Sequence, residues 1–268
     1  ASRQGIIVEN APSGNATTTA EHALCLLMSL ARSIPQAAAS MRAGQWEKKK
    51  FSGIELTGKT LGVIGLGNIG RIVADRARGL RLRVLAYDPF IGQEAAQNLG
   101  VKLVTLEELY READFISIHT PLTEKTRHLI DAVAFSRMKR GVLLVNAARG
   151  GIVDETALCA ALESGIVAGA GVGDFVEEPP PADHPLRRHD RVVCTPHLGA
   201  STGEAQERVA VELAEQFVAY FERGEVKNAI NTPAMDKEDV ARLAPWLDLA
   251  RRLGSLVGQL HPRDAGID

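Results

Sequence analysis

The amino-acid sequence predicts an α/β protein with a doubly wound parallel sheet and helices on both faces. From Gly58 onward, short apolar runs of strand length alternate with segments in which apolar residues recur at helical spacing. Parallel strands joined by helices produce this alternation, because each helix carries the chain back across one face of the sheet. The six apolar runs are TLGVIGLG, RVLAYD, DFISIHTP, GVLLVNAA, VAGAGV and RVVCTP.

The first apolar run leads into a glycine turn, TLGVIGLGNIG, over residues 60–70. A strand, a turn and a helix in this order direct free backbone N–H groups and the positive end of the helix dipole toward a pyrophosphate. Gly65 permits the turn, Gly67 leaves room for the phosphates, and Gly70 lets the helix pack close to the strand. This segment therefore predicts a Rossmann-like dinucleotide site.

Asp88 stands eighteen residues after Gly70, at the end of the run RVLAYD. A carboxylate at this point accepts hydrogen bonds from both adenosine ribose hydroxyls and repels a 2′-phosphate, so the sequence favours NAD over NADP as cofactor. Three glycines at this spacing also occur by chance in loops. Here the strand, turn, helix, second strand and acid all follow in order, which favours the dinucleotide site.

The composition is that of an ordinary globular protein. The chain of 268 residues is 45% hydrophobic with a formal net charge of −2, so it can bury a full core and offers no basic excess for nucleic acid. No apolar run approaches the roughly 20 residues of a bilayer span, and no leader follows Ala1, so neither a membrane partner nor a secretory signal is expected. The spacing of Cys, His and carboxylates predicts no metal site. Cys25, Cys159 and Cys194 lie among apolar neighbours, which is typical of buried, reduced thiols and a cytoplasmic protein.

Three amphipathic helices are predicted outside the alternating region. Thr18 and Glu21 form a predicted capping box at the start of the first helix, AEHALCLLMSLARSI. Its apolar stripe is interpreted as core packing, with a dimer contact as the alternative. The other two helices are expected over residues 204–221 and 239–260, with a linker over residues 230–236. The stripe consists of Leu24, Leu27, Leu30, Ala31 and Ile34.

Three polar side chains follow late strands of the predicted sheet, at the edge where open α/β sheets bind ligands: Arg149, Glu178 and His197. His197 is the candidate base, because an imidazole can take the proton of an alcohol near neutral pH during hydride transfer. Glu178 can hold and stabilise that imidazole, and Arg149 can pair with the carboxylate of a 2-hydroxy acid. Each residue alone is more often an ordinary surface group, so the prediction depends on their joint placement. His119, beside Thr120, is a weaker candidate and is expected to touch the cofactor.

Three long segments, LGVIGLGNIG, MKRGVLLVNAARGGIVD and TPHLGAS, resemble the D-isomer-specific 2-hydroxyacid dehydrogenases, and the similarity covers residues 1–233. The resemblance implies an NAD-dependent oxidoreductase that forms a homodimer or homotetramer. Its implied small-molecule substrate is 3-phosphoglycerate or another 2-hydroxy acid. By the same match, Arg149 binds the substrate, Glu178 is the acid partner and His197 accepts the proton.

The resemblance also implies which residues contact the cofactor. Asn68 and Ile69 would meet the pyrophosphate, Thr120 the adenosine side, and the segments 147–149 and 197–200 the nicotinamide end. In some relatives a basic residue after the tryptophan reaches a neighbouring subunit's site, which suggests Lys48 for a phosphate; a solvated turn is the alternative. The expected NAD contacts are Gly65, Gly67, Asn68, Ile69, Gly70, Asp88, His119, Thr120, Pro121, Ala147, Ala148, Arg149, Asp174, His197, Gly199 and Ala200.

One departure from the family pattern lies just before Glu178. Where members usually read Leu-Asp-Val-Phe, this chain reads VGDF over residues 172–175. The aspartate that contacts the nicotinamide carboxamide in the family is therefore either shifted by one position, to Asp174, or absent.

The resemblance further implies a division into domains. Residues 1–13 are expected to be a remnant of a discontinuous substrate domain, 14–202 the NAD-binding domain, 203–232 a return helix with a second remnant, and 233–268 a linker and the start of a truncated domain. Family members carry about one further domain before GIIVENAPSGN, so the chain is interpreted as a fragment. Two other functions stay open: a hydroxypyruvate, glyoxylate or lactate reductase, and an inactive NAD-binding interaction module.

Overall fold

The computed structural model describes residues 1–232 and 237–260. Within these residues, seven parallel strands form one sheet in the order β3-β2-β1-β4-β5-β6-β7. The strand order reverses next to β1, which opens a crevice at the carboxyl ends of β1 and β4. The strands are β1 (Thr60–Ile64), β2 (Arg83–Tyr87), β3 (Lys102–Leu103), β4 (Phe115–Ile118), β5 (Val142–Asn146), β6 (Val167–Val172) and β7 (Val192–Cys194).

Helices connect the strands of this sheet, and others precede and follow it along the chain. Two short 3-10 helices, Ser2–Gln4 and Lys48–Phe51, accompany them. In the described ranges the α-helices are α1 (Ala16–Arg32), α2 (Ile34–Arg42), α3 (Asn68–Gly79), α4 (Gln93–Asn98), α5 (Leu106–Glu112), α6 (Ala132–Arg137), α7 (Glu155–Glu163), α8 (Pro185–Arg188), α9 (Gly203–Arg223) and α10 (Lys237–Leu260). No described helix is long and apolar enough to cross a bilayer.

The predicted fold class is confirmed. Each of the six apolar runs contains a strand, and β1, β4 and β5 are buried along their whole length. Two hydrophobic clusters cover opposite faces of the sheet, as alternating side chains of a doubly wound sheet require. Strand β3 was not predicted, because two residues are too short to produce a recognisable apolar pattern.

The predicted capping box at the start of α1 is wrong. The helix begins at Ala16 with Asn15 as its N-cap, so Thr18 lies inside the first turn and is buried. Glu21 instead pairs with Arg76 at 2.6 Å. The local sequence could not determine where α1 begins, because threonine and glutamate at this spacing also fit inside a helix that begins earlier. A capping box does occur elsewhere, at the start of α5.

The apolar stripe of α1 is mostly core. Leu24, Leu27 and Ala31 are buried in the cluster that also holds Leu143 of β5, whereas Ile34 is exposed. The stripe ends early because Ser33 adopts a left-handed conformation that terminates α1 and starts α2. The packing matches core burial, the interpretation that the sequence favoured.

The prediction of three buried thiols is only partly right. All three cysteines are free, but Cys25 is exposed, and Cys159 and Cys194 are half-buried. Cys25 lies on the solvent side of α1, which apolar neighbours in sequence could not reveal because a helix turns successive residues to different faces.

The described chain divides into two compact units. One is Asn15–Gln206, which holds the whole sheet; the other combines Ala1–Gly14 with the chain from Glu207 onward. Within the second unit, the amide of Gln216 donates to the carbonyl oxygen of Asn10 at 3.1 Å. The two helices predicted over residues 204–221 and 239–260 appear as α9 and α10. Positions 233–236 of the predicted linker, and residues 261–268 of the predicted truncated domain, lie outside the described residues.

Candidate active site

The glycine turn between β1 and α3 is shaped by three different contacts. Gly65 has a φ of +95°, and a Cβ there would lie 2.8 Å from the carbonyl oxygen of His119. A Cβ at Gly70 would collide with the carbonyl oxygen of Gly65, so the first turn of α3 needs a glycine to pack this close. A Cβ at Gly67 would meet no atom of the described residues within 4 Å. Of these three glycines in the described part of the chain, Gly67 is therefore the one with open space for a ligand in front of it.

Asp88 follows β2 and lies beside this turn. One carboxylate oxygen accepts a hydrogen bond from the N–H of Leu66 at 2.8 Å, and the other accepts one from the N–H of Phe90 at 2.8 Å. These two bonds fix the carboxylate at the carboxyl end of the sheet. A carboxylate oxygen can accept more than one hydrogen bond, so acceptor capacity is left for ribose hydroxyls.

Unpartnered polar atoms lie at the end of β4, against the same turn. His119 is buried, and its Nε2 contacts the Ser117 hydroxyl at 2.8 Å. Its Nδ1 and the Thr120 hydroxyl are buried, and neither has a hydrogen-bond partner among residues 1–232 and 237–260. Pro121, next along the chain, is exposed, and its carbonyl accepts from Thr126. Buried polar groups normally have partners, so these two atoms fit contact with a bound polar ligand.

Burial lowers the pKa of His119 to about 4. The side chain is therefore neutral near pH 7 and a weak proton acceptor.

His197 and Glu178 form a direct hydrogen bond. The distance from His197 Nδ1 to Glu178 Oε2 is 2.7 Å. The other Glu178 oxygen accepts the N–H of Phe175 at 3.1 Å, which orients the carboxylate. The hydrogen bond from His197 lowers the pKa of Glu178, so Glu178 is ionised at neutral pH. His197 has a φ of +51°, a sparsely populated conformation for a residue other than glycine, and its N–H bonds the carbonyl of Gly173.

Arg149 lies in a turn after β5 that Asn146 holds in shape. The Asn146 amide nitrogen donates to the Arg149 carbonyl at 3.0 Å, and its oxygen accepts from the N–H of Ala148 at 3.2 Å. Ala147, between them, is buried. The Arg149 side chain is 61% exposed, and its guanidinium points toward the buried Asp174, 3.8 Å away.

Asp174 joins these side chains into one group. Its Oδ1 lies 3.3 Å from His197 Nε2 and 3.8 Å from the Arg149 guanidinium, and the side chain is only 4% exposed. Burial raises the pKa of Asp174, while the neighbouring His197 and Arg149 act in the opposite direction. The sequence suggested Asp174 only as a displaced carboxamide contact. Its position between His197 and Arg149 is a feature that only the fold reveals.

The donor atoms of Asp174, Glu178 and His197 lie within 4.8 Å of one another, a grouping of residue types that also bind metals. The spacing of these residues along the sequence did not predict this cluster. The Arg149 cation near Asp174 disfavours a second cation at this point, and the ion pairs already account for the arrangement.

A cavity of about 530 Å³ opens beside this group. Its walls include Phe175, Pro179 and Thr195, together with the side chains of Glu178 and His197. Such a volume is in the range of small-molecule sites. The hydrogen-bonded pair of His197 and Glu178 therefore faces a space that can admit a ligand.

The remaining predicted contacts occupy several places. Asn68 and Ile69 open α3 beside the glycine turn. Gly199 and Ala200 follow His197, and Gly199 packs against Thr19 of α1, where a Cβ would lie 3.3 Å from the threonine methyl.

Lys48 is not brought to this group within its own chain. The 3-10 helix that contains it also supplies Lys50 and Phe51 to a different cavity, together with Asp190 and Arg191. Asp190 and Arg191 precede β7, so this cavity lies at the amino end of that strand, opposite to His197.

Two residues near the site, His22 and Glu155, were not predicted from the sequence. His22 on α1 contacts the Thr195 hydroxyl at 2.9 Å, just before His197. Glu155 accepts the N–H of Val176 at 3.0 Å and contacts His184 at 3.1 Å, so it supports the turn that carries Glu178. Glu155 is the first residue of α7, immediately after Asp154. A carboxylate in the first turn of a helix was the sequence feature that could have indicated Glu155.

The match to known proteins decides the family. Residues 24–199 match the family model of the D-isomer specific 2-hydroxyacid dehydrogenase, NAD binding domain. This chain belongs to that family. The matched domain is the NAD-binding one, so NAD is the cofactor of the fold described above.

Relatives and solved structures agree with this assignment. The chain is 49% identical to D-3-phosphoglycerate dehydrogenase of Archaeoglobus fulgidus, over 96% of this chain and 49% of the relative. It is similar to a glyoxylate reductase from Paecilomyes thermophila, with TM-score 0.79 and 33% identity over 85% of this chain and 69% of that one. It also resembles an NAD-dependent formate dehydrogenase from Staphylococcus aureus in complex with NAD, with TM-score 0.78 and 34% identity over 87% and 71% of the two chains. The chain spans about half the length of the curated relatives that it matches.

Proposed function

We propose that this chain is the cofactor-binding and catalytic part of an enzyme that oxidises 3-phospho-D-glycerate to 3-phosphohydroxypyruvate with NAD, the first step of serine biosynthesis. The 2.7 Å hydrogen bond between His197 and Glu178, at the ligand-binding edge of an NAD-binding sheet, carries the proposal. The names of relatives from archaea, bacteria, plants and animals support the substrate, since D-3-phosphoglycerate dehydrogenases match at 46–49% identity.

The three catalytic side chains have complementary tasks in this proposal. His197 takes the proton of the substrate hydroxyl on Nε2, and Glu178 stabilises the resulting imidazolium through Nδ1. Arg149 turns from Asp174 and pairs with the substrate carboxylate through two parallel hydrogen bonds. Bound NAD supplies the hydride acceptor.

The cofactor contacts are assigned in the same way. The backbone around Gly65, Gly67 and Asn68 holds the pyrophosphate, and Asp88 accepts hydrogen bonds from the ribose. The buried, unpartnered hydroxyl of Thr120 supports a contact on the adenosine side. The turns at residues 147–149 and 197–200 enclose the nicotinamide.

The test is a calorimetric titration of the purified chain with NAD and, separately, with NADP. 3-Phosphoglycerate is then added, and NADH is followed by fluorescence. Binding of NAD in preference to NADP, followed by NADH formation, is the expected result. NAD binding without NADH, in a sample whose fold is verified by circular dichroism, would contradict catalysis by this chain.

A second candidate is another 2-hydroxy acid dehydrogenase. A glyoxylate reductase has a closely similar fold, and Arg149 and His197 suit any small 2-hydroxy acid. The same assay in reverse, with NADH and glyoxylate, hydroxypyruvate or pyruvate, separates the candidates. A higher kcat/KM for one of these than for 3-phosphohydroxypyruvate would favour the second candidate. Binding of NAD with no turnover of any of them would instead identify an NAD-binding interaction module.

We also propose a cytoplasmic homodimer or homotetramer in which Lys48 reaches the phosphate in a neighbouring subunit's site. Three free cysteines support a reducing compartment, and the exposed Ile34, Met41 and Trp46 support a contact surface near Lys48. Light scattering at micromolar concentration tests the assembly, and a monomeric mass would reject it. We further propose that the NAD-binding domain extends over residues 14–202.

A further inference from the structure

Glu155 binds the segment between β6 and α8 that carries Glu178. One oxygen of the Glu155 carboxylate accepts the N–H of Val176 at 3.0 Å, and the other lies 3.1 Å from Nε2 of His184. The side chains of His184 and Glu155 are only 17% and 20% exposed. The His184 ring packs edge-on against the ring of Phe175, with the two centroids 5.4 Å apart. These contacts form a closed loop around the peptide bond between Phe175 and Val176.

The same peptide bond connects two parts of the site. A Cβ at Gly150 would collide with the carbonyl group of Phe175, so Gly150 packs directly against this peptide. Gly150 follows Arg149 in the chain. The N–H of Phe175 donates to the Glu178 carboxylate at 3.1 Å. A displacement of this peptide would therefore move the Arg149 turn and the Glu178 carboxylate relative to each other.

The spacing of these groups matters for the proposed reaction. In a 2-hydroxy acid, the carboxylate and the hydroxyl group are bonded to neighbouring positions of the carbon chain. Arg149, which pairs with the carboxylate, and His197, which takes the hydroxyl proton, must therefore stand at a fixed distance from each other. Glu178 sets the place of His197 through their hydrogen bond of 2.7 Å. An error of about 1 Å in such a distance can slow a reaction about 100-fold.

We propose that Glu155 is a positioning residue that holds the peptide between Phe175 and Val176 and thereby sets the spacing of the catalytic side chains. This inference rests on the proposed function and deepens it, because it adds a residue that acts through the turn and not on the substrate. The role depends on the length of the Glu155 side chain, since the carboxylate must reach the Val176 N–H from the start of α7. It does not depend on the charge, because an amide oxygen can accept the same hydrogen bond.

Two variants separate length from charge. Glu155→Asp keeps a carboxylate in the first turn of α7 but shortens the side chain by one methylene group, so it no longer reaches the Val176 N–H. Glu155→Gln keeps the length and removes the charge. Glu163→Asp is the matched control, because it makes the same shortening at the exposed last residue of α7.

The first experiment needs no turnover. Hydrogen exchange of the Phe175 and Val176 amides is followed by NMR of the ¹⁵N-labelled chain. In Glu155→Asp, both amides are expected to exchange about tenfold faster than in the unaltered chain, because the hydrogen bonds to Glu155 and Glu178 are weakened together. Both rates should be unchanged in Glu155→Gln and in Glu163→Asp.

Two results of this experiment would overturn the proposal. One is an unchanged exchange rate for either amide in Glu155→Asp, which would show that the peptide keeps its place without Glu155. The other is exchange of both amides in the unaltered chain as fast as in an unfolded peptide. The second result decides even if a variant does not fold.

The second experiment measures turnover with 3-phosphoglycerate and NAD. Glu155→Asp should lower kcat/KM about tenfold or more and raise KM, with the Kd for NAD unchanged. A chain that is merely less stable would lose active molecules, which lowers kcat and leaves KM as it was. Glu155→Gln and Glu163→Asp should match the unaltered chain.

The outcomes for Glu155 and for the proposed function are distinguishable. An unchanged kcat/KM in Glu155→Asp, or an equal loss in Glu155→Gln, would refute the positioning role. Absence of NADH in every chain, the unaltered one included, would instead refute the proposed function. The exchange rates would then decide whether Glu155 holds the peptide.

Discussion

Replacing Gly67 by alanine separates the binding role of the glycine turn from its folding role. An added Cβ at Gly67 meets none of the described protein atoms within 4 Å, and the φ of Gly67, −67°, suits any L residue. Gly67 is the N-cap of α3, where alanine is less favourable than glycine by about 1 kcal/mol or less. The folded chain should therefore remain nearly as stable as the unaltered one.

The cost to NAD binding is expected to be larger. A methyl group in front of the turn blocks the close approach of the pyrophosphate to the backbone N–H groups. Loss of one charge-assisted hydrogen bond costs about 1.5–3 kcal/mol, which corresponds to a Kd for NAD about 10- to 150-fold weaker. Calorimetric titration measures the Kd, and differential scanning calorimetry measures Tm.

Gly79→Ala, at the other end of α3, is the control. A Cβ there also meets no neighbour within 4 Å in the part of the chain that the structure describes, but Gly79 lies far along the helix from the turn. It should leave the Kd unchanged and stabilise the chain by up to about 1 kcal/mol, because alanine favours helix over glycine. An unaltered Kd in Gly67→Ala, with a normal Tm, would refute the assignment of this turn to the pyrophosphate.

Three further substitutions test other parts of the site and the fold. Asp88→Ser should bring the Kd values for NAD and NADP closer together, since it removes the repulsion of a 2′-phosphate; an unchanged preference would reject the ribose contact. His197→Ala should lower kcat about 100-fold or more while leaving the Kd for NAD intact, and an active variant would reject His197 as the base. Asp114→Asn should cost about 1–3 kcal/mol of unfolding free energy at pH 7, because Lys139 and the Thr60 N–H hydrogen-bond this carboxylate at 2.6 and 2.9 Å. Burial raises the pKa of Asp114, but the two hydrogen bonds lower it by more, so the pKa in the folded chain lies below that in the unfolded chain. The stabilisation from this carboxylate is therefore present above the unfolded pKa, and it is lost as pH falls through the folded pKa. Equal urea midpoints for the two chains at neutral pH would refute that prediction.

Much of the fold could be predicted because its signals are local. A buried parallel strand needs a short apolar run, and a tight turn into a helix needs glycine where a Cβ would collide, as at Gly70. Strand β3 and the first residue of α1 were not predicted, because their local sequence carries no such signal. Two residues carry no periodicity, and the position of Asn15 as N-cap depends on how α1 packs on the sheet.

The polar residues that follow the strands could likewise be predicted from the sequence. Arg149, Glu178 and His197 each follow a predicted strand, and the sheet brings the carboxyl ends of parallel strands to one edge. The hydrogen bond between His197 and Glu178 follows from that placement. The support of the Arg149 turn by Asn146 does not, because an asparagine at the end of an apolar run has several possible partners.

The sequence by itself determined the alternation of six of the seven described strands with helices, the glycine turn, and the chemical groups available at one edge of the sheet. These depend on residue type and spacing over a few turns of chain. Only the tertiary structure decided that Asp174 turns inward to face His197 Nε2 and the Arg149 guanidinium. The path of the chain past β6 sets that direction, and a shift of one residue moves a side chain from one face to the other.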